Sequence, residues 1–437
     1  MKELINNLKG DKVIWTFVAL LALFSFMPVF SASSNLAYIG HGTGNTLGYL
    51  VKHFFHICIG FVIIYLVHKV PYNYFKSISK LALPVVWILL GYTLFKGTVI
   101  AGANASRWIK VPFINITFQT STLAFIVLMV FVARYLSLTR TTPLTFKNSL
   151  FELWAPVFIT LGLILPANFS TSALMFSMVL MLVFIGKYPL KYIAIILTTG
   201  FCALMLFVVI GKTFPNSSFF SRVHTWESRI VNYTTDKPEE DDYQIDKAKI
   251  AIATGGVYGL GPGKSVQKNF LPQSSSDFIY AIIVEEYGLF GGILVLSLYL
   301  LLFFRFIIAA HKSSTLFGKF VVVGLGFPII FQALVNMAVA VELLPITGQT
   351  LPLISSGGSS IWMACIALGI IISVTKKEEE IQEEKLQSQK RAETLERMLD
   401  EQIRKEEEEE KKLKEENSFS IEDKSNPMNA VLNKKPI

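Results

Sequence analysis

Ten apolar segments of nearly membrane-spanning length divide this sequence and rule out most soluble folds. They lie near residues 13–33, 53–69, 81–99, 117–136, 152–168, 170–187, 190–211, 279–309, 316–340 and 351–374. A helix needs about 20 mostly apolar residues to cross a bilayer, and backbone groups inside the bilayer must be hydrogen-bonded within the segment. The sequence therefore predicts an all-α, polytopic membrane protein in which residues 13–374 form one ten-span domain.

Composition supports this class and argues against a nucleic-acid partner. Of the 437 residues, 52% are hydrophobic and only 16% are charged, against about 25% charged residues in soluble domains. The formal net charge is +8, but Lys and Arg are scattered at the ends of the apolar segments and form no single basic patch. The three cysteines fall inside apolar segments, so we interpret them as small buried hydrophobic residues.

The distribution of basic residues predicts the orientation of the chain. With residues 1–12 in the cytoplasm, fourteen Lys and Arg residues take cytoplasmic positions and about four lie in short outer loops. Such an excess is typical of cytoplasmic loops. Both termini are therefore expected in the cytoplasm, and a long polar segment at 212–278 is expected at the outer face of the membrane.

This polar segment is too long for a turn between spans. Its centre carries a group of acidic residues, namely Asp236, Glu239, Glu240, Asp241, Asp242 and Asp246. Long loops are usually functional or disordered, and the apolar and aromatic residues here argue against disorder. We therefore interpret the rest of the chain as a scaffold that holds this segment at a membrane surface.

A glycine-rich run follows in the same segment, with glycines at 255, 256, 259, 261 and 263. Its letters GPGKS resemble the end of a nucleotide-binding P-loop, but that motif needs another glycine where Tyr258 stands. The run therefore predicts a tight turn with close backbone approach. Its N–H groups and Lys264 are candidates for contacting an anionic headgroup.

Charged residues near the outer ends of the spans are a second set of candidates. Glu285 and Glu286 begin the eighth apolar segment, where carboxylates are tolerated at the interface or beside a cation. Either Glu286 is part of a substrate site, or the two residues form structural ion pairs with Arg107, Lys110 or Lys52. Arg107 is itself either an interfacial anchor beside a tryptophan or a phosphate-binding residue.

Small polar residues at 355–360 form a third set. Ser355, Gly357, Gly358 and Ser359 lie at membrane depth, which indicates small-residue packing or a re-entrant segment that lines a substrate groove. Both interpretations remain open at this point. Asp277 begins the eighth segment and is a candidate helix cap or substrate contact.

Composition changes abruptly after Thr375, and residues 375–437 form a charged cytoplasmic tail. Strong helix formers and opposite charges at i,i+4 spacing predict a solvated, partly helical segment. A weak coiled coil with a cytoplasmic partner is the alternative.

Several stretches match the motifs of one known family. In chain order they are NASRWI (104–109), FQTSTLA (118–124), PANFSTSAL (166–174), the stretch from YQIDKAKIAIATGG to AIIVEEYGLFG (243–291) and LLPITGQTLPLISSGGSS (343–360). Together they resemble the SEDS family (shape, elongation, division and sporulation), and its division-type branch most closely. The second stretch departs from the family pattern FQPSELAK, because Thr122 and Phe125 replace its Glu and Lys. Gln273 also replaces a Glu.

The resemblance implies a ten-span glycosyltransferase of the inner membrane. At the outer face of that membrane it would polymerise lipid II, an undecaprenyl diphosphate-linked disaccharide peptide, into glycan strands during cell division. It also implies a class B penicillin-binding protein as transpeptidase partner, together with other divisome proteins. The family's catalytic aspartate stands in an Asp-Pro context six residues before a tyrosine. Here Asp236 lies seven residues before Tyr243, and Asp242 adjoins it. We predict Asp236 as the base, with Asp242 and Asp241 as alternatives.

The implied chemistry suits these residue types. A carboxylate takes the proton from the acceptor 4-hydroxyl, and Arg107, Lys264, Lys268 or a divalent cation such as Mg²⁺ or Mn²⁺ steadies the departing diphosphate. Inversion at the anomeric carbon is expected, and the lipid tail is expected to lie against the spans in a groove lined by residues 336–360. Two other functions remain open, a transporter that flips lipid II and a non-catalytic divisome scaffold. The departures at Thr122 and Phe125 keep the scaffold open.

Overall fold

The computed structural model describes residues 8–41, 46–97, 108–110, 117–139, 145–213, 240–271 and 273–425. The described chain is almost entirely helical. Its helices are α1 (Lys12–His41), α2 (Thr46–Val67), α3 (Asn73–Lys96), α4 (Thr120–Thr139), α5 (Phe146–Ser149), α6 (Ala155–Ile164), α7 (Phe169–Ile185), α8 (Leu190–Thr213), α9 (Glu240–Gly255), α10 (Ile279–Lys312), α11 (Leu316–Ala340) and α12 (Gly358–Ser425). Strands β1 (Trp108–Lys110) and β2 (Thr117–Gln119) pair antiparallel, with Ile109 opposite Phe118.

Each predicted apolar segment overlaps a described helix. Eight of the described helices (α1 to α4, α8, α10, α11 and α12) are long and apolar enough to cross a membrane. Helix α7 is apolar but has only 17 residues, and α5 continues into α6 through a π-helical turn at Leu150–Trp154. The predicted all-α polytopic fold is confirmed.

The predicted start of the last segment, residue 351, is wrong. Residues 343–357 are not helical, and α12 begins only at Gly358. Pro345 and Pro352 lack the backbone N–H that a helix needs, and Gly348 has a φ of 65°. This stretch therefore forms a packed loop before the final span.

Helix α11 lies at the centre of the bundle. It packs on α10, α4 and α7, and 78% of its most apolar 18-residue stretch is buried inside the protein. Small residues permit this packing, since a Cβ at Gly326 would lie only 2.6 Å from Phe306 Cδ2 of α10. Helix α8 makes far fewer contacts with the bundle, since only 6% of its most apolar 18-residue stretch is buried.

Polar contacts gather at the two ends of the bundle and show how the helices alternate in direction. At the end with the N-terminal residues, Arg305 Nε donates to Asp11 Oδ2 at 2.6 Å, and Asp11 N donates to Thr375 Oγ1 at 3.1 Å. Ser31, at the far end of the first span, meets residues 265–286 at the opposite end. We call this opposite end, which carries residues 240–278 and 341–357, the loop end.

Residues Glu379–Ile437 form a separate compact unit. Its described part, through Ser425, is helical, which confirms a helical tail. The apolar side chains of Leu395, Leu399 and Ile403 are exposed there. A coiled-coil partner for this tail stays a prediction.

Candidate active site at the loop end

The glycine-rich run after α9 binds the backbone of α10 directly. Leu260 N donates to Glu285 O and Gly261 N donates to Glu286 O, each at 2.9 Å. Helix α10 is broken at Gly288, whose φ of 67° and ψ of −166° are not helical. The two carbonyls are therefore available to the glycine run. We call this pairing of residues 255–261 with residues 285–289 the glycine clasp; the predicted tight turn is confirmed, and its glycines serve backbone packing.

The Glu285 carboxylate holds the segment that follows the clasp. Its side chain is fully buried and accepts hydrogen bonds from Ser265 Oγ, from Val266 N at 3.0 Å and from Gln267 N at 3.2 Å. Three donors from one short segment satisfy a buried carboxylate well. Glu285 therefore fixes the start of the 3₁₀ turn at Gln267–Asn269.

Glu286 connects the same segment to α1. Its carboxylate is 1% exposed, and it accepts from Ser265 N at 3.3 Å and from Ser31 Oγ. Lys268 Nζ in turn donates to Ser31 Oγ at 3.2 Å and to Gly263 O at 2.8 Å. Lys268 is half-buried, so its ammonium lies at the edge of the loop end.

The prediction that Glu285 and Glu286 form ion pairs with Lys52 or Lys110 is wrong. Glu285 and Glu286 accept from hydroxyl and backbone donors, and neither pairs with Lys52 or Lys110. Arg107 lies outside the described residues. Backbone N–H groups can replace a cation because charge-assisted hydrogen bonds stabilise a buried carboxylate.

Four motif stretches that are distant in sequence meet at the loop end. The contacts are Ser356 N to Ser275 O at 2.8 Å, Ser355 Oγ to Ser276 O at 2.6 Å, Gln349 Nε2 to Thr171 Oγ1 at 3.1 Å, and Gln119 N to Ser359 Oγ at 3.3 Å. Ser355 also accepts from Leu351 N at 2.7 Å. These contacts favour the packing interpretation of Ser355 and bring the motifs into one site.

Asp277 lies beside this junction, one residue before the N-cap residue Phe278 of α10, which begins at Ile279. Its predicted capping role stays a prediction. The Asp277 carbonyl accepts from Asn336 Nδ2 at 2.7 Å. Its carboxylate Oδ2 stands 3.5 Å from where a Cβ on Gly348 would lie. Asp277 therefore faces the turn that precedes the last span.

Gly358 is required by close packing with α2. A Cβ there would lie 2.5 Å from His56 Nε2. His56 cannot easily move, because its ring stacks on Trp362 and its Nδ1 lies 2.5 Å from Lys52 O. Gly357 meets no such obstacle, since its Cβ would lie 3.4 Å from Ser360 Cβ.

We expect Gly358→Ala to lower the stability of the purified protein by about 1–3 kcal/mol, because an added methyl group overpacks a fixed contact. The thermal unfolding midpoint in detergent measures this effect. Gly357→Ala is the matched control and should change the midpoint little. Equal shifts for the two variants would show that the His56 contact does not decide the outcome.

The predicted acidic residues stand at and before the start of α9. Asp241 and Asp242 lie in its first turn, their side chains are not described, and Asp236 lies outside the described residues. Within the described ranges no group of three His, Cys, Asp or Glu side chains could hold a metal ion.

An ion pair links α9 to the end of α11. Lys249 Nζ lies 2.8 Å from Glu342 Oε2 and 3.2 Å from Asp246 Oδ1. The hydrogen bond to Glu342 raises the pKa of Lys249 above its usual value. This exposed pair adds little stability, but α9 also packs on α10 and α11. The acidic start of α9 is therefore attached to the rigid bundle.

The side chain of Lys264 is exposed at the loop end.

Thr122 and Phe125, where the sequence departs from the family pattern, line a cavity of about 70 Å³ together with Gln332, Pro352 and Ser360. A larger apolar cavity of about 600 Å³ lies between α6, α7 and α8. Its lining includes Leu165 and Phe169 next to the turn at the loop end. Ser31 was not among the residues that the sequence indicated, because a lone polar residue in an apolar segment gives no functional signal.

Together the fold and the loop-end site define a multi-pass membrane protein whose motif residues gather at one end of a helix bundle. Residues 11–380 match the family model of the FtsW/RodA/SpoVE cell cycle proteins. The chain belongs to this family.

Individual relatives agree over most of the chain. The probable peptidoglycan glycosyltransferase FtsW of Thiomicrospira cyclica is 30% identical over 379 residues, covering 85% of this chain and 92% of that protein. Stage V sporulation protein E of Bacillus subtilis is 27% identical over 371 residues, covering 84% and 97%.

Solved structures show the same fold. A chain of a peptidoglycan synthase complex that coordinates polymerization and crosslinking has a TM-score of 0.64 at 21% identity, over 84% of this chain and 98% of that one. The rod shape determining protein RodA of Thermus thermophilus has a TM-score of 0.60 at 21% identity, over 84% and 97%.

Proposed function

We propose that this chain is an inverting glycosyltransferase that polymerises lipid II into glycan strands. The observation that carries the proposal is the junction of four motif stretches at the loop end, next to the acidic start of α9. Relatives over most of the chain are named peptidoglycan glycosyltransferases. The proposed role in cell division follows from the division-type motifs, and the relatives include a sporulation protein as well.

The reaction forms a bond between the acceptor 4-hydroxyl oxygen and the anomeric carbon of the donor sugar. Asp236 takes the hydroxyl proton, with Asp242 and Asp241 as the nearest alternatives. The bond from the anomeric carbon to the diphosphate breaks, and the diphosphate leaves without protonation on the opposite face. Lys268, Lys264 or Arg107 stabilises its charge. A divalent cation such as Mg²⁺ held by the acidic group would supply the same stabilisation.

A lipid-linked substrate also needs an apolar surface, and the cavity between α6, α7 and α8 is suited to it. Its volume of about 600 Å³ lies in the range of roughly 300–1,000 Å³ that is typical of ligand sites. The sequence predicts a groove lined by residues 336–360, and two residues of that stretch, Pro352 and Ser360, line the smaller cavity, whose volume of about 70 Å³ is below that range. We therefore place the polyprenyl tail beside α8.

The proposed location is the inner membrane, with both termini in the cytoplasm and the loop end outside. The excess of Lys and Arg at the opposite end supports this orientation. It places the acidic group where lipid-linked sugar donors are polymerised. A class B penicillin-binding protein and other divisome proteins are the proposed partners, in keeping with the solved synthase complex of the same fold.

The purified full-length protein, with its transpeptidase partner, should convert labelled lipid II into glycan polymer that is resolved on a gel. Digestion of the product by a muramidase is the control for its chemistry. Absence of polymer together with movement of labelled lipid II across vesicle membranes would instead identify a transporter. Absence of both activities would favour the scaffold.

A further inference from the structure

We infer that Ser31 and Glu286 are positioning residues that hold the Lys268 ammonium as the contact for the substrate diphosphate. The inference rests on the proposed function and adds two residues that touch no substrate. It is carried by a chain of hydrogen bonds from Lys268 to Ser31 and from Ser31 to Glu286. The two outer members are close in sequence, whereas Ser31 lies 255 positions before Glu286.

The direction of these hydrogen bonds follows from the groups involved. A carboxylate accepts hydrogen bonds, and an ammonium only donates them. The Ser31 hydroxyl proton therefore points to Glu286, and an Oγ lone pair faces Lys268 Nζ at 3.2 Å. Ser31 and Glu286 are 2% and 1% exposed, so water does not compete for either partner. The buried carboxylate thus fixes the direction of the hydroxyl that receives the ammonium.

The arrangement leaves the Lys268 charge available to a ligand. Glu286 is connected to the Lys268 ammonium through the Ser31 hydroxyl. The ammonium is therefore held in position without a direct ion pair between Lys268 and Glu286. Within the described residues, Nζ has two acceptors, Ser31 Oγ and Gly263 O. An ammonium has three N–H donors, so one remains for an incoming oxygen. Lysine is a common phosphate-binding side chain.

Ser34 provides a matched control on the same helix. It lies one turn after Ser31, and its hydroxyl donates to Ser31 O at 2.7 Å within the helix backbone. Removal of this hydroxyl leaves the connection between Lys268 and Glu286 intact. A change in general helix stability would affect both serine variants, whereas a positioning effect is specific to Ser31.

The experiment measures the affinity of the purified full-length protein for undecaprenyl diphosphate in detergent, which requires no turnover. We expect Ser31→Ala to weaken binding by about 3- to 10-fold, the size of one hydrogen bond. Ser31→Thr, which keeps the hydroxyl, and Ser34→Ala should stay within about twofold of the wild type. In a Lys268→Met background, Ser31→Ala should have no further effect, because coupled residues are not additive.

Unchanged affinity in Ser31→Ala would overturn the inference, as would an equal loss with and without the Lys268 ammonium. Lack of diphosphate binding by the wild type would overturn it as well. A melting curve shows whether each variant folds. If Ser31→Ala does not fold, Ser31→Cys, whose thiol is a weaker donor and acceptor, replaces it in the affinity measurement. Lipid II polymerisation by the wild type is measured separately, so failure of the positioning role and failure of the proposed function are distinguishable.

Discussion

Asp236→Asn is expected to lower the rate of lipid II polymerisation by about 100- to 10,000-fold, which is the usual contribution of a general base. The variant keeps the shape of the side chain and removes the group that takes the proton from the acceptor hydroxyl. Binding of undecaprenyl diphosphate should be unchanged within about twofold, because Asp236 acts on the acceptor. The measurement is single-turnover polymerisation with labelled lipid II.

Asp241→Asn and Asp242→Asn are the matched controls for this prediction. Both residues carry the same charge and belong to the same acidic group, in the first turn of α9. They should keep most of the wild-type rate if Asp236 is the base. Loss of polymer in Asp242→Asn alone would move the base to that position, and the class of enzyme would remain.

Gly259→Ala is expected to destabilise the protein by about 3 kcal/mol or more and to abolish polymerisation. Gly259 has a φ of 80°, where an L-residue costs roughly 1–2 kcal/mol. An added Cβ would also collide with the Glu286 carbonyl and with Gly288 N of α10. Backbone atoms cannot rotate away as a side chain can, so overpacking adds about 1–3 kcal/mol.

Gly263→Ala separates these two contributions. Gly263 has nearly the same φ, 78°, but a Cβ there would meet nothing within 4 Å. This variant should therefore lose only the conformational part, about 1–2 kcal/mol. Unfolding midpoints in one detergent provide the comparison, together with polymer yield. If the two variants lose the same stability, the glycine clasp contributes nothing beyond its backbone conformation.

The helices were predictable because the length and hydrophobicity of a span are local properties. The predicted segments at 190–211 and 316–340 coincide with α8 and α11 almost to the residue. The start of the last span was not predictable in this way, because residues 351–357 are apolar and small but form a packed loop. Their conformation is set by contacts such as Ser355 Oγ to Ser276 O, which no local pattern contains.

The candidate site was only partly predictable, for the same physical reason. Residue type alone indicated Lys268 and Glu286 as charged groups near the outer face. The expected ion-pair partners of Glu286 were wrong where the structure describes them, because its donors are Ser265 N and Ser31 Oγ. A serine in an apolar segment is common as a packing residue, so Ser31 had no distinguishing pattern.

The sequence by itself determined that this chain is a polytopic helical membrane protein of the SEDS type with an acidic, glycine-bearing loop. Hydrophobic length, charge distribution and motif letters are all carried by neighbouring residues. Only the tertiary structure decided that the glycine clasp forms where α10 is broken at Gly288 and that Ser31 lies between Lys268 and Glu286. These contacts join atoms from distant helices, and burial makes their geometry decisive since no water can replace a missing partner.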